Sequence, residues 1–360
     1  MSMIIHRSRG LDRAFLENYR RDSTIGWQYF CNSSGLFRHF PATEWNFHPV
    51  NTYDCRMRHW FTGAAASSKD VMILVERSGS MLGSRIAIAI DVVRNILDTM
   101  TPNDYVNVLQ FNQTSEYLIS CAESLIQATT SNIFDLKQAL NDIAPDGQGD
   151  LAEALEKAFE TLEKHKRNSS NCNQVIMLIT DGMEYNETIQ AIFRKYKGNN
   201  FRVFSFLIGE QIPEHDYEQI KLMACENRGY YTQIDTIKET REQALKYIPV
   251  MSRPLSLSAH NPIAFSNVYV DIMDTFRTTN YDWNCKQREV QRDRVVKYLN
   301  EYDWYPCITK NSPEEPDPEY RKYVFMTTIS MPAFERGENA VSWFRISNVG
   351  KISRAVVVCK

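Results

Sequence analysis

Between Lys69 and Arg253 short apolar runs alternate with amphipathic stretches, and this alternation restricts the fold more than any other feature of the chain. Val71-Met72-Ile73-Leu74-Val75 and Val175-Ile176-Met177-Leu178-Ile179 are uninterrupted apolar segments, too short for helices and apolar on both faces. After the first, Ile86, Ile90, Val93, Leu97 and Met100 recur at three- and four-residue spacing, the stripe of a helix. Thr101-Pro102-Asn103-Asp104 ends that helix, and Tyr105 to Phe111 reads as the next strand. Helices are predicted over Ile133 to Ile143, Leu151 to Leu162, Pro213 to Cys225 and Thr236 to Met251, and strands over Phe201 to Ile208 and Gly229 to Ile234. Strands buried on both faces and separated by helices require a parallel sheet covered on both sides, so the fold class is a doubly wound, Rossmann-like α/β domain.

The rest of the composition narrows the function. The chain has 360 residues, enough for two or three domains, and sets 41 Lys+Arg against 44 Asp+Glu, a net charge of −3. That balance gives no general attraction to nucleic acid or to anionic membranes. No apolar run approaches the roughly 20 residues of a spanning helix. Met1 to Arg7 also lacks the apolar core of a signal peptide. No phosphate-binding G-x-x-x-x-G-K-[ST], G-x-G-x-x-G or nucleophile-elbow G-x-S-x-G occurs, so an enzyme has no visible machinery. None of the 8 cysteines lies in a C-x-x-C pair, and their pairing stays open. Sequons at Asn32, Asn112, Asn168 and Asn186 are glycosylation candidates, although such triplets also arise by chance.

In a doubly wound sheet ligands bind beyond the carboxyl ends of the strands. Two loops stand there: Glu76-Arg77-Ser78-Gly79-Ser80 after the first strand and Asp181 after Val175 to Ile179. Hydroxyls and carboxylates together suit a hard divalent cation, Ca²⁺ or Mg²⁺, which takes oxygen ligands. The ordinary alternative is that Ser78 and Ser80 cap the next helix and Asp181 opens a turn.

Lys69 to Met81 resembles the opening of a von Willebrand factor A domain, whose metal-ion-dependent adhesion site reads D-x-S-x-S with a Thr and an Asp from later loops. The flanks are more specific. Trp27 to Phe30, Phe40-Pro41-Ala42, Tyr53 to Phe61, Gly63-Ala64-Ala65, Cys172 to Gly182, Met223 to Asn227 and Ser252-Arg253-Pro254 resemble the alpha-2/delta auxiliary subunits of voltage-gated calcium channels. The likeness runs from Trp27 to Asp271 and returns at Met326 to Pro332. It implies an A domain inserted in a mixed α+β Cache-like domain: 1–68 before it, 69–253 the A domain, 254–335 after it, and 336–360 unassigned. It also implies a non-catalytic, glycosylated subunit on the extracellular face of the plasma membrane that holds a pore-forming channel subunit through the metal site. Since family members are much longer and carry a signal and an anchor, the chain is expected to be a truncated piece. The alternative function is a metal-dependent adhesion or matrix-binding A-domain protein, with other extracellular proteins as partners.

The site residues carried over are Glu76, Ser78, Ser80 and Asp181. The chain departs from the pattern at two positions: Glu76 stands for the usual Asp, and Gly149 for the usual Thr, with Asp150 a candidate substitute. A second set, Trp27, Trp45, Tyr53, Arg58, Trp60, Tyr269 and Asp271, matches the family's pocket for a free amino acid. There an Arg guanidinium clamps a carboxylate between aromatic walls. Phe37, where ligand-binding members have a small residue, and Met57, in place of an Arg, narrow that expectation. The plain reading makes the tryptophans core and Arg58 an internal ion-pair partner. By the same likeness Cys172 marks an inter-chain disulfide.

Overall fold

The computed structural model describes residues 8–22, 25, 27–40, 53–168, 173–183, 185–196, 201–210, 212–257, 263–266, 269–270, 325–332 and 356–359. Before the alternating region come helix α1 (Gly10–Arg21), strands β1 (Gln28–Cys31) and β2 (Phe37–Phe40), and helix α2 (His59–Ala65). Helix α1 packs Phe15 against Phe30 of β1, a small core of its own.

The alternating region then gives β3 (Lys69–Glu76), α3 (Ser84–Asp98), β4 (Tyr105–Phe111), β5 (Ser115–Tyr117), β6 (Ile126–Gln127), α4 (Thr130–Ala139), α5 (Leu151–Asn168), β7 (Asn173–Thr180), α6 (Glu187–Lys195), β8 (Phe201–Ile208), α7 (Glu214–Glu226), β9 (Tyr230–Ile234), α8 (Thr240–Leu245) and α9 (Tyr247–Leu257). The sheet order is β5-β4-β3-β7-β8-β9, with β6 also on β4. From β4 to β9 neighbours run parallel, in register from Asp70 opposite Tyr105 to Ile208 opposite Ile234. Period-two alternation explains the two-sided burial. Val71, Ile73 and Val75 face a core with Val92, Val93 and Ile96 of α3, while Met72 and Leu74 face Leu155, Phe159 and Leu162 of α5.

Four details differ from the sequence expectation. Strands β5 and β6 pair antiparallel with β4, so the sheet is mixed rather than wholly parallel. Both are too short to carry a periodic signal. The stretch expected as one helix over Thr236 to Met251 breaks at Lys246 into α8 and α9. Helix α4 tightens into a 3-10 turn at Leu140–Asp142. Helix α6, not anticipated, buries Ile189, Ile192 and Phe193 and is capped by Asn186, whose side chain accepts from the Ile189 N–H.

After α9 the described chain contributes β10 (Ala264–Phe265), β11 (Tyr269–Val270), β12 (Phe325–Met326), β13 (Ile329–Pro332) and β14 (Val356–Cys359). Strands β12 and β13 are separated at Thr327 and Thr328, and β10 ends at Phe265. A second sheet has the order β10-β13-β14-β1-β2, so strands from both sides of the alternating region meet in it. A disulfide joins Cys31 at the end of β1 to Cys55 in the turn before α2. Trp45, Asp271 and Cys172 lie outside the described residues, as do the side chains of Asn168 and Tyr269.

Candidate functional site

Strand β3 sits where the sheet order reverses: the chain passes from β3 to β4 on one side and reaches β7 on the other. The loops leaving β3 and β7 therefore diverge from neighbouring strand ends and leave a crevice between them. Glu76 ends β3, Ser78 and Ser80 follow it, and Thr180 ends β7 just before Asp181. A third loop, 146–150, lies over them through the Gly79 N–H to Gly147 carbonyl bond of 2.9 Å and the Asp146 N–H to Arg77 carbonyl bond of 2.7 Å. The crevice of about 520 Å³ is lined by Glu76, Ser78, Ser80, Gly149, Asp150 and Asp181, among others.

The predicted residues come together. The Ser78 and Ser80 hydroxyl oxygens are 2.8 Å apart, and Ser80 donates to Asp181 Oδ1 at 3.1 Å. Neither serine caps: the turn beginning at Ser78 has no side-chain cap, and α3 starts after Gly83, also uncapped. Glu76 is only 3% exposed. Burial pushes its carboxyl up, against hydrogen bonds from the Ser78 and Thr180 hydroxyls and the Asp181 backbone that favour the charged form. Asp150 is exposed on the rim, and its Oδ1 accepts from the Ala152 N–H at 2.9 Å, so it caps α5.

Two participants were missed in the sequence. Thr180 donates its hydroxyl to Glu76 Oε2 and joins the two strand ends. Arg85 pairs with Asp181 Oδ2 at 2.7 Å and donates to the Ser80 carbonyl at 3.2 Å. The signal for Arg85 was its position: a cation in the first turn of a helix opposes the macrodipole and calls for a nearby carboxylate.

The donor set is all oxygen, two hydroxyls and two carboxylates, which is the chemistry a hard divalent cation takes. The cradle is also shaped for it on one side. A Cβ on Gly149 would lie 2.6 Å from Glu76 Oε1, so the glutamate carboxylate fills the space that a side chain at 149 would take. Glu76, Ser78, Ser80 and Asp181 are the residues that would hold the ion, which would supply a Lewis-acidic anchor for an oxygen of a partner.

The second predicted set also converges, as far as it is described. Trp27, Tyr53, Arg58 and Trp60 line a cleft of about 1050 Å³ between α2 and the second sheet. The Arg58 guanidinium lies 4.6 Å over the Tyr53 ring and joins no ion pair among the described residues. The internal ion pair belongs instead to Arg56, which bonds Asp54 at 2.8 Å and Glu242 of α8 at 2.9 Å. Burial works against the Asp54 charge, but the Arg56 side chain and N–H hold that carboxyl below its ordinary range. Phe37 stands inside the cleft, its ring 4.9 Å from Tyr53 and 6.4 Å from Trp60.

Residues 70–245 match the family model of the von Willebrand factor type A domain, and residues 2–45 match that of the VWA N-terminal region. The chain is 38% identical over 274 residues to human voltage-dependent calcium channel subunit alpha-2/delta-4, covering 74% of this chain and 24% of that one. It is 37% identical over 274 residues to the human alpha-2/delta-3 subunit, covering 74% of this chain and 25% of that one. To the mouse alpha-2/delta-2 subunit it is 35% identical over 271 residues, with 74% and 23% covered. The chain thus spans about a quarter of the length of these relatives. Among solved structures, a von Willebrand factor type A protein from Catenulispora acidiphila matches 57% of this chain and 48% of its own at 16% identity, with a TM-score of 0.46. Residues 70–245 therefore form a von Willebrand factor type A domain, in a chain that resembles the alpha-2/delta subunits of voltage-dependent calcium channels over about three quarters of its length.

Proposed function

We propose that this chain acts as a non-catalytic, alpha-2/delta-type auxiliary subunit that binds the pore-forming calcium channel subunit through a divalent cation, Ca²⁺ or Mg²⁺, at Glu76, Ser78, Ser80 and Asp181. The observation that carries the reading is the hydrogen-bonded run Ser78–Ser80–Asp181, which brings residues 101 positions apart to the switch point of the sheet. A carboxylate from the partner completes such an oxygen set in the way a ligand does at an open metal position. The relatives named above support the choice of partner over an adhesion or matrix protein. The second sheet, with strands from both flanks, serves as the Cache-like domain, and 69–253 as the insert. In the full-length protein the complex stands on the extracellular face of the plasma membrane, where it modulates delivery and current of the channel. The cleft over Tyr53 takes a free amino acid whose carboxylate meets Arg58, with Trp45, Tyr269 and Asp271 contributing.

Capture of the pore-forming subunit from co-expressing cells tests the reading, with current recorded in parallel. Capture in Mg²⁺ or Ca²⁺ should be lost in EDTA and in Asp181→Ala, while circular dichroism of the variant stays native. Undiminished capture in both arms would remove the metal from the mechanism.

A further inference from the structure

Glu76 at the end of β3 and Gly149 in the 146–150 loop each depart from the adhesion-site pattern, yet they fit each other. An ideal Cβ on Gly149 would sit 2.6 Å from Glu76 Oε1, closer than real side chains approach, and 3.2 Å from its Cδ. A flexible carboxylate on a surface would swing away. This one is 3% exposed, and its Oε2 accepts from the Thr180 hydroxyl. The opposing loop is pinned as well. Asp150 N–H bonds the Asn112 carbonyl at 2.8 Å, Asn112 Nδ2 bonds the Asp146 carbonyl at 3.0 Å, and Gly79 N–H bonds the Gly147 carbonyl at 2.9 Å. Neither partner can yield without breaking bonds that shape the crevice.

We infer that Glu76 and Gly149 work as one matched pair: the longer acid reaches into the volume vacated at 149 and itself becomes the inner ligand that a hydroxyl at 149 would have been. The inference deepens the metal reading above and rests on it. Its chemical consequence is a change of donor. A neutral hydroxyl is replaced by a charged carboxylate, so a bound Ca²⁺ or Mg²⁺ meets two acids, Glu76 and Asp181, from the two strand ends. Its genetic consequence is that the two positions cannot be changed one at a time. Threonine at 149 displaces Glu76 from its bonds, and aspartate at 76 leaves the position at 149 without a donor.

A double-mutant cycle on the full chain tests this, with Glu76→Asp, Gly149→Thr and the pair together. Titration calorimetry with Ca²⁺, Mg²⁺ and Mn²⁺ alone reads affinity, and thermal unfolding without metal reads the packing. Each single change should weaken divalent binding by about tenfold or more, while the double change returns to within about threefold of the parent, a strongly non-additive cycle. Gly149→Thr should also lower the unfolding temperature in the parent but not in the Glu76→Asp background. Additive effects, or a Glu76→Asp chain that binds as tightly as the parent, would overturn the pairing while leaving a metal-dependent partner intact. A parent chain that gives no metal heat while the double variant does would show Glu76 to be a plug rather than a ligand, and also overturns it. No heat from any of the four chains overturns both readings.

Discussion

Lys69 and Asp104 show how much one pair of side chains can settle. Both are 1% exposed, and Lys69 Nζ donates to Asp104 Oδ2 at 2.8 Å. The same carboxylate accepts from the Lys69 N–H at 3.0 Å, the Thr101 N–H at 2.7 Å and the Thr101 hydroxyl at 3.0 Å. The pair therefore locks the start of β3 to the turn that enters β4. Burial pulls the Lys69 amine down, and Asp104 more than offsets it, so the ammonium persists above its ordinary range. Asp104→Ala would leave that charge buried without a partner, along with two orphaned N–H groups. The expected cost is about 3–5 kcal/mol, read as a fall in the urea midpoint at unchanged slope. In the sequence Lys69 and Asp104 were ordinary polar residues bordering predicted strands. Their partnership spans 35 positions, which no local pattern reports.

At the scale of elements, the loops at the carboxyl end of the sheet distinguish two sequons that look alike in sequence. Asn112 is engaged: Nδ2 donates to the Asp146 carbonyl at 3.0 Å and Oδ1 accepts from the Thr114 N–H at 3.1 Å, holding the 146–150 loop over the crevice. Asn186 is exposed and uses only Oδ1, which caps α6 at 3.0 Å from the Ile189 N–H, and its Nδ2 has no partner among the described residues. Glycosylation consumes the amide nitrogen. In a secretory host Asn186→Gln should remove one glycan by deglycosylation gel shift and mass spectrometry, whereas Asn112→Gln should remove none. A glycan on Asn112 would mean that its loop opens before modification.

The elements themselves were legible where packing reinforces periodicity. Strands β3, β4, β7 and β8 and helices α3 and α5 fall where the apolar runs and stripes put them, because each buries whole faces against the sheet. The short antiparallel strands β5 and β6 were illegible for the opposite reason. Each has two or three residues, and pairing with the edge of β4 rather than hydrophobic burial sets them.

Across the whole molecule, a disulfide tightens the flanking layer, and that layer shares its core with the A domain, Phe61 and Ala64 of α2 lying in one buried cluster with Ile96 and Tyr247. The disulfide Cys31–Cys55 closes a loop with a sequence separation of 24, and Arg56 beside it bridges Asp54 to Glu242 on α8. Closing a loop of that length removes about 3 kcal/mol of chain entropy from the unfolded state. Reduction should therefore lower the unfolding temperature of the flanking layer first, seen as faster hydrogen exchange at 28–40 and 53–66 than in the central sheet. Simultaneous loss of both layers would mean that they unfold as one unit.

The sequence by itself determined the doubly wound core, the loops that end β3 and β7, and the presence there of Glu76, Ser78, Ser80 and Asp181, because hydrophobic period and strand order are local properties written in consecutive residues. Tertiary structure alone decided which groups meet: Thr180 on Glu76, Arg85 on Asp181, Arg56 rather than Arg58 in the ion pair, and Cys31 with Cys55 among the many pairings open to eight cysteines. It also decided that glutamate at 76 and glycine at 149 are complementary, since two departures 73 positions apart become one fit only where the 146–150 loop folds back over β3.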